Sequence, residues 1–278
     1  MPRERSTSQR PDTTIGHYAP INGLQLYYEI HGPATGTPLV LIHGGGSTIG
    51  TSFGRIIPLL SKSHRVIAVE MQAHGHTRDI DRPFTFQQDA DDIAALLAYL
   101  HIPKASVLGF SNGGSTALQV GIRHPSVVDR LVIVSANFRR SGMQAGFWDF
   151  MMNETFAEMP QPYKDAYLAI NPSDEGLHAM HDRDAARMKG FTDFPDEDVH
   201  GIHAPTLVMV GDRDVVTPEH ALELSRLVRN GRLCILPGGH GEFFGEISFP
   251  VPDEVPRAFV SIVEEFLGGA SNAGGLHG

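Results

Sequence analysis

An α/β fold on a doubly wound, mostly parallel sheet is what this sequence predicts, and three observations predict it. Short, continuous, β-branched runs recur at 39–42, 66–69, 106–108, 131–134, 206–210 and 233–236. Runs of this kind suit strands buried on both faces of a parallel sheet. Longer amphipathic stretches alternate with them, as crossover helices would. One run leads directly into Gly109-Phe110-Ser111-Asn112-Gly113 and then into a helix-compatible stretch at 115–123. That is a strand, a sharp turn carrying a serine, and a helix.

The elements follow in order. Residues 24–30 alternate apolar and polar and read as a half-buried strand paired with one at 18–21, which brings the sheet to eight strands. In the helix expected at 86–100, Ile93, Leu96, Leu97 and Leu100 recur at i, i+3, i+4 and i+7, and Asp89, Asp91 and Asp92 lie toward the positive end of its dipole. Two more helices are expected at 218–229 and 256–267. Between 135 and 203 no strand is apparent. A Met- and Phe-rich stretch at 146–159 and another helical stretch at 163–170 precede a polar segment bearing Asp and His. Inserted between two core strands, such a segment reads as a helical cap over the sheet edge where ligands bind. The expected organisation is a disordered tail at 1–17, core at 18–135, cap at 136–202, core at 203–268 and a second disordered tail at 269–278.

Composition narrows the function. The chain has 278 residues and a net charge of −10, which disfavours a nucleic-acid partner. No apolar run is long enough to span a bilayer. The polar start, with Arg3, Arg5 and Arg10, lacks the apolar stretch of a secretory signal, so a cytoplasmic protein is expected. A single cysteine, Cys234, excludes an internal disulfide and a Cys-based metal cage; its apolar run reads it as a small core residue. Self-association is left open, and a small molecule is the expected partner.

The chemistry centres on Ser111. A Cβ at Gly109 or Gly113 would collide with neighbouring backbone in so tight a turn, which leaves the serine hydroxyl projecting. A serine hydroxyl is a weak nucleophile and needs a base. Of 15 histidines, His240 is best placed, in the flexible loop Pro237-Gly238-Gly239-His240-Gly241 after the 233–236 strand. The base needs a carboxylate on its far nitrogen. Asp212 and Asp214 both follow the 206–210 strand, and spacing leaves both open. His43-Gly44-Gly45-Gly46 follows the 39–42 strand and can supply a backbone N–H to a developing oxyanion, Gly45 being the first choice and Gly46 the second. The Asn112 N–H, at the start of the elbow helix, is the expected second donor. The Gly-rich loop lacks the lysine and spacing of the phosphate-binding motifs.

The order Ser111, Asp214, His240, with His-Gly-Gly-Gly upstream, resembles the α/β-hydrolase superfamily over most of the chain. The segment Glu70-Met71-Gln72-Ala73-His74-Gly75-His76-Thr77 resembles that family's Asp-x-x-Gly-x-Gly-x-Ser, departing from it by having Glu70, Ala73, His74, His76 and Thr77 where other residues are commoner. His74 and His76 are expected to be structural or to reach the pocket rim. The resemblance implies Asp214 as the acid, three residues after its glycine, with Asp212 holding the loop. It also implies a serine hydrolase without cofactor or metal, since the aspartate-nucleophile branches are excluded at position 111. Expected is cleavage of a carboxylic ester of a small, mostly apolar molecule. The alternatives are hydrolysis of a carbon–carbon bond by the same three residues and, from another class, a ligand-binding receptor or scaffold. Gly46, Phe110, Phe147, Trp148 and Met151 are the candidate substrate contacts. His178, His181, Asp182 and Asp184 have metal-ligand types at helical spacing, but a solvated cap helix is the reading we favour.

Overall fold

A computed structural model describes residues 16–268. The expected tails lie outside the described residues except at Gly16 and His17, which begin the first strand. Strands β1 (Gly16–Ile21) and β2 (Leu24–His31) form an antiparallel hairpin closed by Asn22-Gly23, with φ of 48° and 89°. Positive φ at both turn residues gives the twist that fits two-residue hairpins, and Asn-Gly adopts it at least cost.

Six further strands complete the sheet: β3 (Leu39–Ile42), β4 (Val66–Glu70), β5 (Ala105–Phe110), β6 (Val128–Val134), β7 (Thr206–Gly211) and β8 (Gly231–Leu236). Their order is β1-β2-β4-β3-β5-β6-β7-β8, antiparallel as far as the β2–β4 pair and parallel beyond it. Period-two alternation assigns side chains to the two faces. Leu39 and Leu41 pack in a cluster with Phe53, Leu60 and Phe259, from helices α1 (Ile49–Phe53), α2 (Ile57–Leu60) and α10 (Glu254–Gly268). Val40 and Ile42 pack in the opposite cluster with Ile93, Ala117 and Leu224, from α3 (Phe86–Tyr99), α4 (Asn112–Arg123) and α9 (Pro218–Leu227).

One strand departs from expectation. β8 pairs only with β7, so Ile235 is 45% exposed and Cys234 only half-buried. Its apolar run is that of a sheet edge rather than of a doubly covered strand.

Between β6 and β7 the described chain contributes no strand to the sheet. It carries α5 (Phe147–Asn153), α6 (Gln161–Ile170), α7 (Asp174–Lys189) and α8 (Asp196–His200). Both ends of this insertion belong to the main core. Ala136 and Phe138 at its start, and Val199 and Ile202 at its end, are buried in the cluster under α3, α4 and α9. The helices outside the sheet layers are therefore α5 to α7. Among the described residues, no helix is long and apolar enough to cross a membrane.

Register sets what meets at the C-terminal edge of the strands. Ile42 lies beside Gly109, and Gly211 beside Leu236. The loops after β3 and β5 are thus neighbours, as are those after β7 and β8. The elbow fits only because its glycines lack side chains. A Cβ at Gly113 would overlap the carbonyl oxygens of Ile42 and His43, and one at Gly109 would overlap the Gly113 carbonyl. Gly36 is a useful control, because its φ of 85° strains any side chain but nothing lies within 4 Å of its Cβ position. Gly113→Ala should cost about 3 kcal/mol and Gly36→Ala only about 1 kcal/mol, read from urea unfolding. Equal losses would contradict the close approach of α4 to β3.

Candidate active site

Ser111 follows β5 and stands at the N-terminal cap of α4 with φ 54° and ψ −122°, and its side chain makes no capping hydrogen bond. A non-glycine residue in such a conformation costs about 1–3 kcal/mol and persists only when its surroundings hold it. Here the Ser111 N–H donates to Val134 O at 2.9 Å, and the Ser111 carbonyl accepts from Gly114 and Ser115 at 2.8 and 3.1 Å. The hydroxyl is left free to face His240, with Oγ 3.0 Å from Nε2.

His240 Nδ1 lies 2.7 Å from Asp214 Oδ1. With Nδ1 carrying the proton toward the carboxylate, Nε2 is left as the acceptor for the serine hydroxyl. Asp214 is 1% exposed and well satisfied: Oδ2 accepts from Ser135 Oγ at 2.5 Å, and Oδ1 from the Val216 N–H at 3.1 Å. Burial works against its charge, but the His240 imidazole and these donors outweigh it and hold the carboxyl below its usual range. The loop beyond Asp214 is tied to the start of the insertion, where Gln144 N donates to Val215 O at 2.8 Å and Thr217 N to Gly142 O at 2.9 Å. Asp212 points elsewhere. It is half-exposed and accepts from Gly238 N at 2.8 Å, which ties the two loops together.

The glycine loop after β3 is held from both sides. His43 Nδ1 donates to Gly44 O at 2.7 Å, and His43 Nε2 accepts from Met71 N at 3.1 Å. One nitrogen donates and the other accepts, so the ring is neutral. Burial, with His74 beside it, pushes His43 down to about 3. Gly46 N donates to Asp184 Oδ2 at 2.6 Å, so the N–H of the second-choice glycine already has an acceptor. Among the described residues, none accepts from the N–H of Gly45 or of Asn112.

Asp184, on α7, belongs to a buried polar network. Its carboxylate also meets His74 Nε2 at 2.8 Å and Arg187 Nη2 at 2.6 Å. His74 Nδ1 faces Gln72 O at 2.8 Å, so both ring nitrogens face acceptors and the ring carries both protons. Burial opposes that charge, but Asp184 beside it raises His74. Burial opposes the carboxylate likewise, yet the His74 and Arg187 cations hold Asp184 well below its usual range. Arg187 reaches on to Asp89 at 2.6 Å.

A cavity of about 460 Å³ opens over Ser111 and His240. Met143, Phe147, Met151, Met159, Met188 and Val216 give it apolar walls, and Glu154, Glu158, His181 and Asp184 add polar ones. Of the candidate substrate contacts, Gly46, Phe147 and Met151 line it. Phe110 and Trp148 do not. Phe110 faces away from the cavity, 4.8 Å from the His240 ring and 4.9 Å from that of Phe244, as alternation along β5 requires. Trp148 packs on Phe191 and donates Nε1 to Arg140 O at 2.6 Å.

The polar face of α7 is not simply solvated. His178 packs against Phe156, His181 pairs with Glu154 at 2.8 Å, and Asp184 is buried in the network above. His76 bonds Glu70 at 2.8 Å and stacks on Tyr27, away from the cavity. Ser135 and Asn137 were absent from the sequence candidates, and Asp184 stood there only as a metal-ligand type on one helix with His178, His181 and Asp182, not as a neighbour of the glycine loop.

Comparison with known proteins bears on the fold. Residues 37–164 match the family described as the alpha/beta hydrolase fold. The chain is 27% identical over 232 residues to serine hydrolase BPHL of Homo sapiens, covering 79% of this chain and 77% of that protein. It is 27% identical over 281 residues to 2-hydroxy-6-oxo-2,4-heptadienoate hydrolase of Pseudomonas putida, covering 91% and 96%. Among solved structures, the serine hydrolase of carbazole degradation, CarC, superposes with a TM-score of 0.74 at 24% identity, covering 91% of this chain and 98% of that one. The enol-lactonase from Burkholderia xenovorans gives 0.71 at 24%, covering 91% and 100%. At that identity the likeness speaks for the fold, and it is the same fold. The sheet order, the elbow after β5 and these similarities together give the chain the alpha/beta hydrolase fold.

Proposed function

We propose that the protein is a serine hydrolase that cleaves a carboxylic ester of a small, mostly apolar molecule through an acyl-Ser111 intermediate. The observation that carries this reading is the unbroken hydrogen-bond chain from Ser111 Oγ through His240 to Asp214, which opens on the cavity beside two amides that have no acceptor among the described residues.

In the proposed reaction, His240 Nε2 takes the hydroxyl proton as Ser111 Oγ attacks the acyl carbon. Negative charge gathers on the former carbonyl oxygen, where the Gly45 and Asn112 N–H groups and the α4 dipole stabilise it. Asp214 holds the imidazole in the tautomer that can accept, and then stabilises the imidazolium. As the intermediate collapses, His240 gives its proton to the leaving alkoxide. Water, deprotonated by the same nitrogen, releases the acid from Ser111 and restores the enzyme. Helices α5 to α7 act as the cap, excluding bulk water and offering the methionine and phenylalanine wall to the acyl or alcohol part.

A second reading has an observation in its favour. The 2-hydroxy-6-oxo-2,4-heptadienoate hydrolase of Pseudomonas putida is a relative over most of both chains. The substrate in that enzyme's name is a carboxylate. Among the described residues no Lys or Arg lines the cavity of this chain, while Glu154 and Glu158 do. A substrate carboxylate would meet like charge there, so the neutral ester is the better match.

Ser111→Ala or His240→Ala should lower kcat on a p-nitrophenyl ester roughly 10⁴- to 10⁶-fold without lowering the melting temperature. Asp214→Asn should cost about 10⁴-fold, with Asp212→Asn far milder, and the reverse ranking would move the acid to Asp212. On the wild type, kcat/KM for a neutral p-nitrophenyl ester should exceed that of the same ester with a terminal carboxylate by about tenfold or more. Brisk turnover of a dienol diketone, with neutral esters left intact, would replace the ester reading with the carbon–carbon one.

A further inference from the structure

The triple-glycine loop poses a mechanical problem. Glycine backbone is the most mobile there is, yet an oxyanion donor must already point at its target before charge develops. The contacts around Gly45 answer it. The peptide plane that carries the Gly45 N–H has the Gly44 carbonyl at its other side, and His43 Nδ1 holds that carbonyl at 2.7 Å. In a planar trans peptide, fixing the C=O direction fixes the N–H direction opposite to it. The next plane carries the Gly46 N–H, which Asp184 Oδ2 holds at 2.6 Å. Both planes flanking Gly45 are therefore pinned, one by the core and one by α7.

The same carboxylate reaches the other loop. Asp184 Oδ1 accepts from Asn112 Nδ2 at 3.4 Å, so one side chain joins the loops after β3 and β5. A Cβ at Gly45 would run into this arrangement, overlapping Asn112 Nδ2 and lying 3.1 Å from Asp184 Oδ2. A bare carboxylate so near a developing oxyanion would oppose catalysis. Its charge is answered by His74 at 2.8 Å and Arg187 at 2.6 Å. The His74 side chain is fully buried, and those of Asp184 and Arg187 are 11% and 5% exposed. Arg187 is itself fixed by Asp89 and by the rings of Phe84 and Phe86, 4.3 and 4.6 Å from its guanidinium carbon. Burying several charges is costly unless each is paired, and this set places them where the glycine loop needs a rigid acceptor.

We infer that Asp184 is a positioning residue for catalysis, a carboxylate on the inserted helix α7 that, through the Gly46 N–H and the Asn112 side chain, holds the two loops so that the Gly45 and Asn112 backbone amides keep the orientation that receives the oxyanion. This rests on the serine-hydrolase reading above. It makes the fit of α7 on the sheet edge a condition for turnover. With α7 displaced, Ser111, His240 and Asp214 would keep their contacts, but Gly46 would lose its acceptor and the glycine loop its outer support.

The test compares wild type with Asp184→Asn and Asp184→Glu on a neutral p-nitrophenyl ester, together with the rate at which a phosphonate labels Ser111. Asp184→Glu keeps the charge that His74 and Arg187 require while moving the carboxylate by one methylene, so it serves if Asp184→Asn fails to fold. The expected result is a fall in kcat of about 10²-fold, with KM changed by less than about threefold and phosphonate labelling slowed in parallel with kcat. In wild type, the Gly46 amide proton should resonate far downfield and exchange slowly, and in Asp184→Glu it should move toward the ordinary range. Unchanged kcat in either folded variant would overturn the inference, as would a rise in KM alone, which would make Asp184 a substrate contact. Turnover that survives Ser111→Ala is a different result, since it would remove the hydrolase reading itself.

Discussion

The first turn of α4 meets the end of β3 in close contact, where Gly113 lies against the carbonyl oxygens of Ile42 and His43, and Gly109 against the carbonyl of Gly113. No side chain fits in either contact. This packing holds Ser111 at positive φ, and most of the site's geometry follows from it. The hydroxyl projects from the turn instead of capping its helix. The Asn112 N–H, first in α4, faces the same space with the helix dipole behind it. The loop after β3 is brought alongside, which puts Gly45 across from Asn112. The strain at Ser111 is local, and the buried runs on either side of β5, Leu39–Ile42 and 131–134, offset it.

Around that contact the polar groups are arranged by what each atom faces. The rings of His43 and His74 are 4.7 Å apart and both buried, yet they differ in charge. His43 has one donor role and one acceptor role to fill and stays neutral. His74 has two acceptors, one of them a carboxylate, and is held protonated. Two imidazolium ions at that distance in a dry interior would repel strongly. The neutral state of one and the charged state of the other are a single arrangement, which Asp184 decides.

Much of this was legible in the chain, and the reasons for the rest are physical. Strands on the doubly covered part of the sheet announce themselves, since 39–42 and 207–210 are apolar at every position. The elbow was readable because sterics permit few residues beside a strained serine. The edge position of β8 was not, because a short apolar run looks the same whether one face or two are covered. Phe110 was misplaced because a neighbour in sequence is not a neighbour in space: alternation along β5 turns its ring away from the cavity. Trp148 was misplaced within α5, whose face is chosen by Arg140 and Phe191 from flanking segments. The network from His74 through Asp184 to Asp89 joins residues more than ninety positions apart in the sequence. No local pattern encodes it.

The central claim is that Gly45 and Asn112 present their amides to an oxygen bound to carbon on Ser111. A crystal structure of the protein inactivated with an alkylphosphonate would test it most directly, because the tetrahedral phosphorus stands in for the reacting carbon. The account predicts one adduct, on Ser111 Oγ, with its phosphoryl oxygen about 2.7–3.1 Å from both amide nitrogens and the alkyl group against the methionine and phenylalanine wall. An adduct on another residue, or a phosphoryl oxygen turned away from both amides, would contradict it.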